Sequence, residues 1–328
     1  MTETIMVTGG AGYIGSWVVR QLLQAGRPVL VVDNLSFGGE SLVDVWLHPC
    51  FEFIKTDISS FKDMESIFSE YHISSVIHLA AVVGDPACSL QPDLAERVNK
   101  TASEQLLDLS LRHGVKRFIF ASTCSNYGRM TNPNGFVDET SPLAPVSLYA
   151  EQKVGFEQLL LNEISKKEGF SPTCLRFSTA YGVSPRMRFD LTVNEFTKEL
   201  SLGRTLDIFG EQFWRPYCHA HDLARAVMTV LQSPLENVAF DVFNVGDTSE
   251  NYQKKTLVQE ILKVIPKSKV KYLHKDDDPR DYRVSFEKIK GKLGFVIKRT
   301  VPEGIREIHM LIQNGIITDP DSSQYKNC

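Results

Sequence analysis

Thr8-Gly9-Gly10-Ala11-Gly12-Tyr13-Ile14-Gly15 decides the fold. The stretch follows the apolar run Ile5-Met6-Val7 and opens a segment, Ile14 to Ala25, whose apolar residues recur at helical spacing. In that setting Gly10, Gly12 and Gly15 read as GxGxxG, and Gly9, Gly12 and Gly15 also satisfy GxxGxxG. Glycines let the backbone turn tightly and approach a pyrophosphate, and the helix behind them offers free N–H groups and partial positive charge. Asp33, 18 residues after Gly15, closes the second strand-like run, Val29 to Val32. A carboxylate there accepts from both ribose hydroxyls and repels a 2′-phosphate, so NAD is expected rather than NADP. A tight turn without a ligand, and a flavin in place of NAD, are the alternatives.

Outward from the loop, the first half alternates buried-strand and helix patterns. Phe51–Ile54, Val76–Leu79, Phe118–Ala121 and Thr173–Phe177 read as strands; Met64–Tyr71, Leu94–His113 and Tyr149–Lys167 read as helices. Continuous apolar strands separated by helices imply a parallel sheet covered on both faces, a Rossmann-type doubly wound α/β fold. Past residue 180 six prolines, Pro185 to Pro302, shorten the elements. The division expected is a dinucleotide-binding domain over 1–180, with added residues around 215–245 and a last strand at Asp241–Val245. A smaller C-terminal α/β substrate lobe follows over 181–318, and then a frayed tail over 319–328. Asp276-Asp277-Asp278 reads as a solvated loop.

The formal net charge is −4, which recruits neither nucleic acid nor an anionic membrane. No apolar run is long enough to span a bilayer, and Met1–Gly10 lacks the pattern of a signal peptide. The six cysteines show no paired spacing, so neither a disulfide framework nor a zinc site is expected, and a reduced cytoplasmic setting follows. His219 and His221 lack further ligands at metal spacing; no metal is expected.

Tyr149-Ala150-Glu151-Gln152-Lys153 is the one YxxxK of the chain, and it opens the helix after the fifth strand. Positions i and i+4 share a helix face, with Cβ atoms roughly 6 Å apart. An ammonium so placed favours phenolate and lowers the tyrosine pKa, making Tyr149 a candidate general base. Ala121-Ser122-Thr123-Cys124-Ser125-Asn126-Tyr127-Gly128 lies at the carboxyl end of that strand, where this architecture binds ligands. A hydroxyl from Thr123 is placed to hold a reacting oxygen while Tyr149 takes its proton.

Together these motifs resemble the extended short-chain dehydrogenase/reductase family, in its nucleotide-sugar epimerase/dehydratase branch. The resemblance runs from Thr4 to about Ile312, through TGGAGYIGS (8–16), VDN (32–34), Asp57, HLAA (78–81), STCSNYG (122–128), YxxxK and the Arg176-Phe177…Ala180-Tyr181-Gly182 segment. It implies Thr123, Tyr149 and Lys153 as the catalytic set. It implies that Gly9, Gly12, Tyr13, Ile14, Gly15, Asp33 and Asn34 hold NAD, that Asp57 and Ile58 flank adenine, and that Leu79, Ala80 and Ala81 line the cofactor channel. Asn99 would support the site from its helix, and Lys153 would also bond the nicotinamide ribose. Toward a nucleotide-diphosphate sugar it implies Asp85, Thr123, Cys124, Ser125, Thr179, Asn194 and four arginines: Arg186, Arg188, Arg215 and Arg280. Arginine suits a diphosphate through bidentate hydrogen bonds. A homodimer is implied as well.

The family pattern is not followed everywhere. UDP-galactose 4-epimerases typically carry Asn where this chain has Thr179, which points away from a UDP-sugar. Val83–Cys88, Ser184–Leu191, Phe213–Tyr217 and Asp278–Tyr282 resemble a subgroup that includes GDP-heptose 4-dehydrogenases. Sugar 4,6-dehydratases place Asp-Glu after the catalytic Thr, where Cys124 and Ser125 stand here, so dehydration is disfavoured. A thiol at Cys124 could serve as the acid of a C3 or C5 epimerisation. The expected activity is 4-epimerisation through a transient 4-keto sugar. A net C4 dehydrogenase or ketoreductase on a GDP- or other nucleotide-linked sugar or heptose is the alternative, followed by a non-catalytic NAD-binding scaffold.

Overall fold

A computed structural model describes residues 3–130, 132, 135–162, 166–273 and 280–327. Asp276–Asp278 and Pro279, singled out above, lie outside the described residues, as do 163–165 of the expected helix and the last residue of the tail, Cys328.

The strands are β1 (Thr4–Thr8), β2 (Val29–Asp33), β3 (Phe51–Lys55), β4 (Ile73–His78), β5 (Arg117–Thr123), β6 (Ser171–Phe177), β7 (Thr179–Tyr181), β8 (Thr205–Phe209), β9 (Trp214–His219), β10 (Asp241–Val245), β11 (Asn251–Gln253) and β12 (Lys269–Leu273). Among the described residues, seven form one sheet in the order β10-β6-β5-β4-β1-β2-β3. Every pairing in it is parallel. The chain winds from β1 through β2 to β3, then returns to place β4 on the other side of β1. That reversal opens a crevice at the carboxyl ends of β1 and β4, where doubly wound sheets bind ligands.

The strands are buried end to end because helices cover both faces. Val18, Val19, Leu22, Val31, Ile119, Leu223, Val227 and Phe243 share one core with no more than slight exposure. Met6, Leu30, Val32, Leu106, Phe118, Phe120 and Phe156 form the other. The helix Ala220–Gln232 packs on the helix Gly15–Gln24. The sheet is therefore completed by chain that lies beyond the first lobe in sequence. The second lobe is built on β11-β9-β7 and on β12-β8, with its own core around Tyr181, Leu257, Ile261 and Ile305.

Three expectations need revision. The helix of Tyr149–Lys167 spans Leu148–Leu160, ending in a turn in which Asn162 N donates to the Leu159 carbonyl. The helix of Leu94–His113 is interrupted by a π-helical turn at Glu96–Ala102, which carries Asn99. Such turns disturb the 3.6-residue period only locally, so the pattern does not betray them. The tail is docked rather than frayed through Asn327. Phe189 N donates to the Tyr325 carbonyl at 2.8 Å, Tyr325 packs edge-on against Phe189, Lys198 holds Asp321, and Asn327 N donates to Asp190. Its polar composition concealed an anchoring aromatic ring and a carboxylate with two basic partners.

Candidate active site

The glycine loop leaves no room for side chains. Gly9 adopts φ +74°, and a Cβ on it would stand 2.7 Å from the Ala80 nitrogen. A Cβ on Gly15 would stand 2.1 Å from the Gly9 carbonyl oxygen. The helix Gly15–Gln24 begins without a side-chain cap and without an acidic residue in its first turn, so its positive end is not neutralised locally. At the end of β2, Asp33 accepts from Ala11 N at 3.0 Å and from Leu35 N at 2.8 Å. Each carboxylate oxygen keeps acceptor capacity. Burial raises the Asp33 pKa against these bonds. Asn34 donates to Asp57 at 3.1 Å, and Ile58 is buried beside them. Burial pushes the Asp57 pKa up, but bonds from Ser59 and Asn34 win and hold it below the usual value. Leu79, Ala80 and Ala81 are half-buried across the crevice; Leu79 N and Ala80 N both donate to Thr8. This cradle fits a dinucleotide: backbone room and a bare helix end for phosphates, and a carboxylate for ribose hydroxyls.

The expected catalytic set, Thr123, Tyr149 and Lys153, lies at the carboxyl end of β5 and on the helix that follows it. Thr123 ends β5, and its hydroxyl oxygen accepts from Ser125 N at 3.1 Å, which opens the turn Cys124–Tyr127. Ser147 caps the helix that carries Tyr149 and Lys153 by accepting from Ala150 N. One helical turn on, the Lys153 ammonium donates to the Ala121 carbonyl at 2.8 Å and lies 5.8 Å from the centre of the Tyr149 ring. Lys153 is 4% exposed and has no carboxylate partner among the described residues. Burial pulls its pKa down to about 8. Burial pushes the Tyr149 phenol well above its ordinary value. The expected lowering of the Tyr149 pKa is therefore not found in the protein alone. Spacing brings the ammonium near, but both groups lose water in one pocket, and that penalty wins.

Asn99 braces the pair from the π-helical turn. Its amide nitrogen donates to Gln152 at 2.9 Å and to the Val82 carbonyl at 3.0 Å, while its oxygen accepts from Val82 N at 2.8 Å. Beneath the site lies a network that sequence reasoning missed. Arg176 and Glu157 form a buried ion pair, Glu157 accepts from Ser122 at 2.8 Å, and Arg176 donates to Tyr127 at 2.9 Å. It fixes the ends of β5 and β6 and the helix that carries Tyr149 and Lys153 together. Nothing in the residue spacing announced it, since the partners meet only through the sheet register.

The groups assigned to the substrate end divide. Asp85 accepts from Ser147 and pairs with Arg280 at 2.6 Å, joining a loop after β4 to a segment almost two hundred residues later. Ser125 meets Tyr282 at 3.4 Å, the Arg215 guanidinium lies over the same Tyr282 ring, and Thr179 is half-buried at the start of β7. Arg188 is held bidentately by Asp190. Two assignments fail. The Cys124 thiol is 1% exposed in the core, donates to the Arg176 carbonyl at 3.2 Å, and burial pushes its pKa far up, so it cannot act as an acid on a sugar. Asn194 is fully buried; it accepts from Gly182 N and donates to Tyr13 and the Arg188 carbonyl. Its amide is spent on holding the second lobe to the glycine loop. His219 accepts from His221 N at 3.1 Å as a helix cap and meets Glu307 at 3.0 Å.

The chain matches, over residues 5–246, the model of the NAD dependent epimerase/dehydratase family. It is 30% identical to a UDP-glucuronate 4-epimerase of Thermodesulfobacterium geofontis, over 92% of this chain and 93% of that protein. Among solved structures it resembles a UDP-glucose 4-epimerase of Thermotoga maritima with UDP-glucose, at a TM-score of 0.83 and 29% identity, covering 95% of this chain and 99% of that one. It also resembles a UDP-glucose 4-epimerase of Thermus thermophilus in complex with NAD, at a TM-score of 0.81 and 27% identity, covering 94% and 99%. With its dinucleotide cradle and its Thr123, Tyr149 and Lys153 side chains, the chain belongs to the NAD dependent epimerase/dehydratase family of enzymes.

Proposed function

We propose that this enzyme inverts C4 of the sugar in a nucleotide-diphosphate sugar through a transient 4-keto intermediate. One observation carries the reading: a buried ammonium bonded to the Ala121 carbonyl within 5.8 Å of the Tyr149 ring, two residues before the Thr123 hydroxyl. The Thr123 hydroxyl orients the C4 oxygen, and the Tyr149 oxygen receives its proton and later returns it. Lys153 supplies the positive charge that supports a phenolate, and Asn99 with Gln152 keeps the helix face in place. When bound, NAD accepts and returns the hydride, and its positively charged ring adds to the field favouring phenolate. Inversion needs the keto sugar to turn over before hydride returns. Thr123, Tyr149 and Lys153 serve both directions, since a base for oxidation is the acid for reduction.

Both kinds of relative named above act on uridine nucleotides, so UDP-glucose and UDP-glucuronate are the first substrates to test, with GDP-sugars beside them. The experiment follows the sugar by proton NMR and the cofactor by absorbance. A C4 epimer without accumulating NADH is expected. NADH rising in step with substrate consumed would instead assign net C4 oxidation, and no change in any sugar would reject the reading.

A further inference from the structure

Arg186 and Arg188 sit two residues apart but face different electrostatic situations. Arg188 is matched by Asp190 at 2.9 and 2.8 Å. Arg186 is 7% exposed and pairs with no carboxylate among the described residues. Among the described residues its Nη2 donates to the Lys326 carbonyl at 3.0 Å, and its Nε is buried without a partner. Its guanidinium lies 4.5 Å from the centre of the Phe37 ring, in the loop after Asp33. A cation withdrawn from water without a counter-ion is costly, and an anion brought to it offsets that cost.

The surroundings say which anion. The segment Gly182–Arg188 is strapped across the start of the helix Gly15–Gln24. Tyr13 donates to the Gly182 carbonyl at 2.5 Å, Ser184 donates to the Tyr13 carbonyl at 2.6 Å, and Trp17 donates to the Val183 carbonyl at 3.1 Å. Arg186 thus follows the residues strapped over the start of that helix and lies against Phe37, in the loop that follows Asp33. Asp33 does not pair with it directly: no hydrogen bond or ion pair joins the two among the described residues, and the Asp33 charge acts on Arg186 only at longer range.

We propose that Arg186 is a cofactor ligand, which donates to the pyrophosphate of the bound dinucleotide and closes the second lobe over the glycine loop. The resemblance had grouped Arg186 with the substrate end; its position assigns it to the opposite end of the cleft. A diphosphate is also part of a nucleotide sugar, so the test must separate the two sources.

The proposal rests on NAD binding at the glycine loop and not on the reaction catalysed. Calorimetry therefore measures the dissociation constants of NAD, ADP, adenosine, UDP and GDP for the wild type, Arg186→Gln and Arg186→Lys. Arg186→Gln is expected to weaken NAD and ADP about ten- to a hundredfold, the range of a charge-assisted hydrogen bond, with adenosine, UDP and GDP within twofold. Arg186→Lys, which keeps the charge, recovers part of the loss for NAD and ADP. Unchanged NAD affinity in Arg186→Gln overturns the proposal, as does selective weakening of UDP or GDP or an equal loss for adenosine. Should the Gln variant fail to fold, Arg186→Lys carries the test alone, through the contrast between ADP and adenosine. An enzyme that binds NAD through Arg186 yet fails to epimerise any sugar would overturn the proposed reaction and leave this inference standing.

Discussion

Replacing Lys153 with Met should make the protein more stable at neutral pH while removing its activity. The Lys153 pKa stands at about 8 in the folded protein against an ordinary 10.5. A shift of that size means the folded state carries about 3 kcal/mol of penalty at pH 7 for keeping the ammonium charged. Methionine fills the same space without charge and gives up the bond to the Ala121 carbonyl, a loss of about 1 kcal/mol. The net gain is about 2 kcal/mol, or a melting temperature raised by about 3 °C in a chain of this size. The sign with pH follows from the depressed pKa. Between about 8 and 10.5 the unfolded chain holds a proton that the folded one has released, so wild-type stability rises with pH there. By pH 9.5 about 2 kcal/mol of the variant's advantage should be gone. Measurement stops there because Tyr149, raised by burial, contributes with the opposite sign above pH 10. Thermal melts of both proteins without cofactor at pH 7 and pH 9.5 decide it. A variant less stable at pH 7, or a gap that does not change with pH, would refute the claim that Lys153 is held charged against its surroundings.

Tyr149→Phe should lower kcat by about a hundred- to ten-thousandfold with the NAD dissociation constant unchanged within twofold, read by steady-state kinetics and calorimetry. In Gly15→Ala, a Cβ set 2.1 Å from the Gly9 oxygen forces the loop backbone to move. NAD affinity should fall at least about tenfold, and denaturant melts should show about 2 kcal/mol of lost stability. The fully buried Asp222, which accepts from Lys298 N and Arg299 N and pairs with Arg225, is held down to about 2 by bonds that outweigh its burial. Its support is present above about pH 3.8 and lost as pH falls toward 2. Asp222→Asn should therefore lose stability at neutral pH and show an acid limb flatter by about 2 kcal/mol between pH 4 and 2. Ending the chain at Thr318 removes the anchors at Asp321, Tyr325 and Lys326, and should destabilise the fold by about 2 kcal/mol in a denaturant titration.

What the sequence made legible is what depends on local chemistry. The glycine spacing, Asp33 at a strand end and the i, i+4 pair Tyr149 and Lys153 each carry their meaning within a few residues. The strand and helix rhythm then fixed which edge of the sheet they share. What stayed hidden depends on where side chains turn after packing. Cys124 adjoins Thr123 in sequence, yet the turn after β5 sends its thiol into the core. Asn194 looked available and is consumed between Tyr13 and Gly182. The docked tail failed to register for the same reason, since its partners Phe189, Asp190 and Lys198 lie over a hundred residues away.

The error over Tyr149 is the instructive one, because the spacing was right and the inference from it was not. An ammonium beside a phenol pulls its pKa down, but drying the phenol pushes it up, and here burial is the larger effect. Lys153 is nearly dry, and among the described residues it donates to a carbonyl rather than to the phenol. Arg186, at the other end of the cleft, is likewise a buried cation with no carboxylate partner among the described residues. Two desolvated positive groups on one cleft leave the ligand-free protein under electrostatic strain, which an anionic dinucleotide relieves. The same burial that weakens the fold therefore strengthens the site, because charges kept from water act on a bound ligand with little screening. On this account NAD should raise the melting temperature of the wild type by more than it raises that of Arg186→Gln. An equal rise would mean that the cation contributes nothing to holding the cofactor.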